Sequence, residues 1–151
     1  MIVAFEDLPR YRRQVAMVDG GFDPLHAGHL EYFRQAGALG LPLLANVASD
    51  EYVRTKREPL LPAAQRAAIV DALRAIAYTH VNTRDTEAVL EQLRPRYYVK
   101  GRDWQGRLPP AQAMICATHQ IEIVYLDAVL DSSTDILRRY LARLAAPAPG
   151  R

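Results

Sequence analysis

"QVAMVDGGFDPLHAGHLEYFRQAGALG" (residues 14–40) joins an apolar run, a loop rich in glycine and histidine, and an amphipathic segment. The apolar run at 14–19 predicts a buried strand, and residues 28–39 place apolar side chains on one side of a predicted helix. Units of this kind build parallel sheets, in which ligands bind at the carboxyl ends of the strands. The loop between the two segments is therefore the first place to expect a binding site.

The alternation of apolar runs and helical patterns continues along the chain. Further strands are predicted at 43–49, 78–82, 96–100 and 121–126. Further helices are predicted at 62–76, 85–93, 110–119 and 132–144. This order predicts one Rossmann-like α/β domain over residues 1–145, with five parallel strands in the order 3-2-1-4-5 and helices on both faces. Residues 146–151, "APAPGR", predict a flexible tail.

The composition excludes several classes of protein. The 151 residues are 50% hydrophobic, which suits a single domain with a core. The net charge of +2 comes from scattered basic residues, so we expect no nucleic-acid partner. The single cysteine, Cys116, excludes an internal disulfide and is expected to pack as a small hydrophobic residue. No apolar stretch is long enough to cross a membrane and no signal-peptide pattern is visible, which predicts a cytoplasmic protein.

The loop after the first strand has the chemistry of a phosphate site. Gly20 and Gly21 allow backbone amides to approach an anion and tolerate positive φ, and Gly28 lies where a helix begins. His26 and His29 are three residues apart and share one face of that helix. The alternatives are an ordinary turn, or a metal site whose ligands are Asp23 and the two histidines.

Four segments together resemble the cytidylyltransferase-like nucleotidylyltransferases. Residues 20–29, "GGFDPLHAGH", resemble that family's G-x-F-D-x-x-H-x-G-H signature. "TKREPLLPAAQRAAIVDAL" (55–73), "YYVKGRDWQG" (97–106) and "SSTDIL" (132–137) are similar to its lysine loop with the following helix, its V-K-G-x-D segment and its last-helix segment. The resemblance implies transfer of a nucleoside monophosphate from an NTP to a phosphorylated acceptor, with release of pyrophosphate. Mg²⁺ is the implied cofactor, and no covalent enzyme intermediate is needed.

The resemblance also implies roles for individual residues. Catalysis falls to His26, His29 and Lys56, with Lys56 on a loop (54–59) that we expect to be mobile without nucleotide. The implied nucleotide-binding residues are Gly21, Phe22, Asp23, Arg66, Lys100, Gly101, Asp103, Ser132, Ser133 and Thr134. Among these, Arg66 is expected to reach the outer phosphates, and Ser132 with Asp135 also fits a helix N-cap pattern. The resemblance implies no metal ligands in the chain itself.

Two of these segments indicate which substrates to expect. "KGRDWQG" (100–106) is similar to the glycerol-3-phosphate cytidylyltransferases, which favours CMP transfer. "EPLLPAAQR" (58–66) has the spacing of the heptose-1-phosphate adenylyltransferases, which makes ATP the alternative donor. The acceptor is expected to be a small phosphorylated sugar, polyol or alcohol. Two other hypotheses are a non-catalytic nucleotide-binding domain and a metal-dependent hydrolase, and the family resemblance implies a homodimer.

Overall fold

Strands and helices alternate along the whole chain. The computed structural model describes residues 1–127 and 132–149. The five strands are β1 Ala16–Gly20, β2 Leu43–Val47, β3 Ile76–Val81, β4 Tyr97–Gly101 and β5 Glu122–Leu126. The helices are α1 Ala27–Gly37, α2 Asp50–Arg54, α3 Ala63–Asp71, α4 Thr86–Leu93, α5 Pro110–Thr118 and α6 Ser133–Ala145, with 3₁₀ turns at Phe5–Tyr11 and Arg102–Trp104. All strand pairs are parallel and the order is β3-β2-β1-β4-β5, which confirms the predicted topology.

The sheet has a separate apolar core on each face, because its central strands β2, β1 and β4 are buried on both sides. On one face, α1 and α3 contribute Phe33 and Val70 to a core with Val18. On the other face, α4, α5 and the first 3₁₀ turn contribute Leu90, Cys116 and Leu8. Cys116 is 1% exposed, which confirms its predicted role as a packed hydrophobic residue, and burial raises the pKa of its thiol to about 11.

Two predicted helix ends are wrong. The helix predicted over 62–76 ends at Asp71, because Ile76 already pairs with Leu43 of β2 as the first residue of β3. The helix predicted to run to residue 39 ends at Gly37, and Gly40 turns the chain with a φ of +82°. In both cases the residues beyond the helix are as apolar as those inside it, so periodicity alone extends the helix too far.

The sequence reading also missed α2. This helix has only five residues, too few to show a helical period. The Ser49 side chain caps it by accepting from Tyr52 N at 3.1 Å. The helix positions the loop that follows β2 at the carboxyl edge of the sheet.

Some predictions fall partly outside the described residues. Residues 128–131 belong to the predicted loop before the last helix, and residues 150 and 151 belong to the predicted tail. Within the described ranges, no helix combines the length and apolar character needed to cross a bilayer.

Candidate active site

Two adjoining cavities open at the carboxyl edge of the sheet. The smaller, of about 130 Å³, lies beside the loop after β1 and is lined by His29, Ser133 and Thr134 among others. The larger, of about 430 Å³, lies toward α4 and α5. Both are lined by Gly21, Tyr52 and Lys56. We call them the small cavity and the large cavity.

The two histidines hold each other in place at the start of α1. His26 is the N-cap residue, and its Nδ1 accepts from Gly28 N at 3.0 Å. His29 Nδ1 accepts from His26 N at 3.3 Å, which completes a capping box, and the two rings lie 3.9 Å apart between centroids. The helix cap therefore fixes the positions of both imidazoles.

This cap also decides which ring nitrogen can donate. Because Nδ1 of each ring accepts a hydrogen bond, a neutral ring carries its proton on Nε2. Burial, with a smaller contribution from His26, lowers the pKa of His29 to about 4. His29 is thus neutral at pH 7, and its Nε2–H can donate to an anion.

The backbone of the loop does not use its glycines as predicted. Neither Gly20 nor Gly21 has positive φ; that conformation falls on Phe22, with a φ of 52°. Gly20 matters for a different reason, since a Cβ there would lie 3.1 Å from the Phe22 ring and would require that ring to shift. The Phe22 ring also packs edge-on against His29, with centroids 5.1 Å apart. The Phe22 ring therefore helps to hold the His29 ring in position.

Asp23 organises the loop from its interior. Its carboxylate is buried and accepts from Leu60 N at 2.7 Å, Leu61 N at 2.9 Å and Arg57 Nη1 at 3.0 Å. Arg57 also donates to the Asp23 carbonyl. Since both oxygens are held by protein donors, the role that the structure gives Asp23 is to join the histidine loop to residues 57–61.

The metal-site hypothesis is not supported. Within residues 1–127 and 132–149, no group of three or more His, Cys, Asp or Glu side chains could hold an ion. The Asp23 carboxylate, which that hypothesis required as a ligand, is occupied as described above.

Lys56 lies between the two cavities and lines both of them. Its ammonium is 5.1 Å from the centre of the Tyr52 ring, a cation–π contact that leaves its hydrogen-bond donors for other partners. The neighbouring Arg57 anchors the loop through Asp23. The loop at 54–59 thus has a polar anchor that the sequence reading did not foresee.

Arg66 is fully buried and holds protein groups rather than facing a cavity. Its guanidinium donates to Leu61 O at 2.9 Å, to Gly21 O at 2.7 Å and Ala48 O at 2.9 Å, and to Asp50 Oδ1 at 2.7 Å. Gly21 and Ala48 follow β1 and β2, Asp50 begins α2, and Leu61 precedes α3. The predicted contact of Arg66 with phosphates would require breaking this network, so its role in this structure is to position the loops of the site.

The start of α6 closes the small cavity. Ser132 Oγ accepts from Asp135 N at 3.1 Å, which confirms the predicted N-cap. Ser133 Oγ donates to Pro24 O at 2.9 Å and so ties α6 to the histidine loop. Ser133 and Thr134 line the small cavity with His29 and Lys56, as the site prediction required.

The residues predicted after β4 separate from the histidines. Lys100 lines the large cavity, where its ammonium bonds Asp19 Oδ1 at 2.9 Å and lies 4.1 Å from the centre of the Trp104 ring. Gly101 ends β4, and Asp103 is exposed on the 3₁₀ turn that follows. Lys100 therefore places its ammonium group at the lining of the large cavity, away from the small cavity.

Comparison with known proteins identifies the family. The family model described as cytidylyltransferase-like matches residues 17–139, which include both cavities' main loops. The chain belongs to the cytidylyltransferase-like family. This confirms the resemblance on which the site prediction was based.

Individual relatives and one solved structure are also similar to this chain. The protein named "Bifunctional protein HldE" from Pseudomonas aeruginosa (strain LESB58) is 33% identical over 89% of this chain, and that of Azotobacter vinelandii is 35% identical over 89%. This cytidylyltransferase-like chain spans only 29% of those relatives' length. A Thermoplasma volcanium structure titled as a lipopolysaccharide core biosynthesis protein has a TM-score of 0.65 at 22% identity, covering 76% of this chain and 96% of its own. It shows the same fold.

The sequence analysis did not identify four polar side chains of this cytidylyltransferase-like domain that line a cavity. Asp19, Asn46, Tyr98 and Gln112 all line the large cavity. The Tyr98 hydroxyl donates to Asp19 Oδ2 at 2.8 Å and lies 3.1 Å from Gln112 Oε1. A signal was available for two of them: Asp19 and Asn46 are polar residues within or at the end of apolar runs predicted as buried strands.

Proposed function

We propose that this chain transfers a nucleoside monophosphate from an NTP to a small phosphorylated acceptor and releases pyrophosphate. The observation that carries the proposal is the small cavity, where the neutral His29 meets Lys56, Ser133 and Thr134. The side chains of His29, Lys56 and Thr134 can donate hydrogen bonds to an anion, whereas the Ser133 hydroxyl already donates to Pro24 O, and none of the four is set up as a nucleophile. Such a donor set suits binding of phosphates and stabilisation of charge that develops on them.

The proposed reaction is a direct in-line displacement. An oxygen of the acceptor phosphate forms a bond to the α-phosphorus, and the bond from that phosphorus to the β-phosphate bridging oxygen breaks, so that pyrophosphate leaves with the electron pair. Lys56, which lines both cavities, is placed to neutralise charge where donor and acceptor meet. The histidines donate through Nε2 to non-bridging oxygens as negative charge increases there. Catalysis is thus by positioning and electrostatics.

Mg²⁺ is proposed to enter with the triphosphate. Mg²⁺ is commonly held by substrate phosphates and one or two carboxylates rather than by a protein cage. That mode fits a site whose described residues form no cluster of metal ligands. The bound ion would supply charge neutralisation at the phosphates. Chelation by EDTA should therefore abolish pyrophosphate release, and added Mg²⁺ should restore it.

The nucleotide donor is proposed from two segments that point in different directions. Residues 100–106 favour CTP, and residues 58–66 favour ATP. The similarity to the HldE proteins over 89% of the chain adds support to the ATP alternative. The reaction itself is the same with either donor.

The test measures pyrophosphate released from CTP, ATP, GTP and UTP with a panel of phosphorylated sugars, polyols and amino alcohols. Release with one donor and one acceptor class, and its loss in Lys56→Ala, supports the proposal. NTP binding in calorimetry without release with any acceptor would instead indicate a non-catalytic nucleotide-binding domain.

A further inference from the structure

The two outer strands of the sheet, β3 and β5, differ in how their free sides are covered. The first residues of the chain lie along the outer side of β3: Val3 N donates to Thr79 O at 2.8 Å, and Thr79 N donates to Met1 O at 2.9 Å. Within residues 1–127 and 132–149, no strand lies on the outer side of β5. An uncovered edge strand offers unpaired backbone groups to another strand.

The direction of the β5 backbone shows which of its groups are unpaired. Glu122 N donates to Arg96 O at 3.2 Å and therefore points toward β4. Because the backbone groups of successive residues in a strand point to opposite sides, the N–H and C=O groups of Ile123 and Tyr125 point away from β4. No hydrogen bond joins these groups to another part of the described chain. The edge thus presents two donors and two acceptors, from residues two positions apart.

Strand β5 also lacks the features that usually protect an edge from pairing. Its ladder with β4 is regular over all five residues, it contains no proline, and its only charged residue is Glu122 at the first position. Natural edge strands commonly carry a bulge, a proline or charged side chains. The middle residues, Ile123, Val124 and Tyr125, are only half-buried and are of types that stabilise a sheet through cross-strand pairs.

An antiparallel copy of the same strand matches the unpaired groups. A twofold axis at Val124 places Ile123 of one copy opposite Tyr125 of the other, and the same pair recurs on the far side of the axis. Residues that face each other in this way exchange both of their N–H and C=O groups. All the outward groups of Ile123 and Tyr125 are then satisfied, and each isoleucine meets an aromatic side chain.

The charges at the two ends of β5 are also complementary to each other. At the amino end, Glu122 lies 4.0 Å from Arg96; at the carboxyl end, Arg102 pairs with Asp127. Antiparallel pairing brings the amino end of one copy beside the carboxyl end of the other. Each end has one acidic and one basic side chain, so the two copies can meet without placing like charges together.

We propose that β5 pairs antiparallel with β5 of a second copy of this chain, which joins the two sheets into one continuous sheet. The inference gives the expected homodimer a defined interface and does not depend on the reaction proposed above. Because the paired strands run in opposite directions, the cavities of the two copies open at opposite ends of the joined sheet.

Cysteine cross-linking tests the position of the twofold axis. In the proposed pairing the two Val124 Cα atoms are about 4.5 Å apart, a separation that a disulfide can span. Oxidised Val124→Cys should therefore run as a two-chain band in non-reducing electrophoresis. Leu126→Cys is the matched control, because it lies on the same strand and packs against the same core but would be about 14 Å from its counterpart. The wild type, whose Cys116 is buried, should not cross-link.

A second experiment removes one outward donor. Tyr125→Pro deletes an N–H that points away from β4, so the ladder within the chain keeps its hydrogen bonds. Light scattering at micromolar concentration should give twice the chain mass of 16.9 kDa for the wild type and for Tyr125→Phe, and one chain mass for Tyr125→Pro. Circular dichroism checks the fold of each variant. Tyr125→Lys, which places a charge on the edge, replaces the proline variant if that does not fold.

Cross-linking of Val124→Cys but not of Leu126→Cys, together with a monomeric edge variant, supports the inference. Absence of the cross-link in Val124→Cys, or equal cross-linking of both cysteine variants, overturns it. A wild type that remains a single chain at tenfold higher concentration also overturns it. If instead Leu141→Ser on α6 abolishes the dimer while Tyr125→Pro keeps it, the interface lies on that helix and the assignment to β5 is wrong. None of these measurements requires turnover of an NTP.

Discussion

At the scale of single residues, the two histidines have both a structural and a proposed catalytic role. They cap α1 through Nδ1, and the same bonds leave Nε2 as the donor of the neutral ring. Alanine at either position would therefore remove a helix cap, at a cost of about 1 kcal/mol, in addition to any effect on the reaction.

His29→Gln separates the two roles, because glutamine at this position of a capping box also reaches the N-cap amide. The variant should fold and lose about 10²–10³ in kcat through the missing imidazole donor. Its pH dependence should also change. In the wild type the folded-state pKa of His29 is about 4 against 6.5 unfolded, so its stabilising contribution is complete above pH 6.5 and is lost as pH falls toward 4. Urea unfolding at both ends of this pH range gives the free energy of unfolding at each pH. That free energy should change less with pH in His29→Gln than in the wild type, and an equal change in both proteins would contradict the assignment.

Arg66→Met tests the buried network behind the loops. The change leaves the Gly21 and Ala48 carbonyls without their Arg66 donor and leaves Asp50, which is partly exposed, with only its bond from Ala63 N, so we expect a loss of about 3 kcal/mol, the lower end for a broken buried pair. Arg138→Met is the control, because its bridge to Asp135 is exposed and such pairs contribute at most about 1 kcal/mol. Denaturant unfolding measures both. Equal losses would show that Arg66 is not part of the framework.

The sequence is more informative about candidate site residues than about their contacts. His26, His29, Ser133 and Lys56 could be proposed as site residues because a ten-residue motif and three other segments fix their order along the chain. The partners of Arg66 and Asp23 could not, since they come from loops that meet only after the sheet forms. Asn46 was hidden in an apolar run, where one polar residue reads as part of a strand.

At the scale of elements, the segment after α2 behaves differently from the expectation. The sequence showed consecutive polar residues without an apolar anchor, which predicted a mobile loop. The structure supplies a polar anchor instead: Arg57 and the amides of Leu60 and Leu61 converge on the buried Asp23. We therefore expect this segment to be held in place before nucleotide binds.

Arg57→Ala and Lys56→Ala should consequently change different properties, the first the rigidity of the loop and the second the rate of the reaction. Removing Arg57 loosens the loop, so amide hydrogen exchange at Leu60 and Leu61 should quicken. Removing Lys56 leaves the anchor intact and should lower kcat without changing that exchange. Mass-spectrometric exchange and pyrophosphate release, measured on both variants, provide the comparison. Fast exchange of these amides in the wild type would instead support the mobile loop predicted from the sequence.

At the scale of the whole molecule, strand order was predictable because parallel strands with right-handed crossovers allow few arrangements. Helix ends were less predictable: Ile76 satisfies a helical period and a strand period equally well, and its pairing with Leu43 decides between them. Two leucines of α6, Leu141 and Leu144, are exposed, at 63% and 65%, and form an apolar surface on that helix.

The expected homodimer stays a prediction. Light scattering at micromolar concentration should give twice the chain mass of 16.9 kDa. A mass of one chain that persists at tenfold higher concentration would remove the dimer.

The histidine helix and the large cavity lie beside opposite faces of the sheet, and this separation has an evolutionary consequence. The histidine helix packs on one face with α3, whereas the large cavity is built beside α4 and α5 on the other. Substitutions around Asn46, Asn82 and Gln112 can therefore accumulate without disturbing Phe22 or the capped histidines. Under the proposed function, a fold arranged in this way can change the molecules that fill the large cavity while it keeps one phosphate chemistry at the histidine loop.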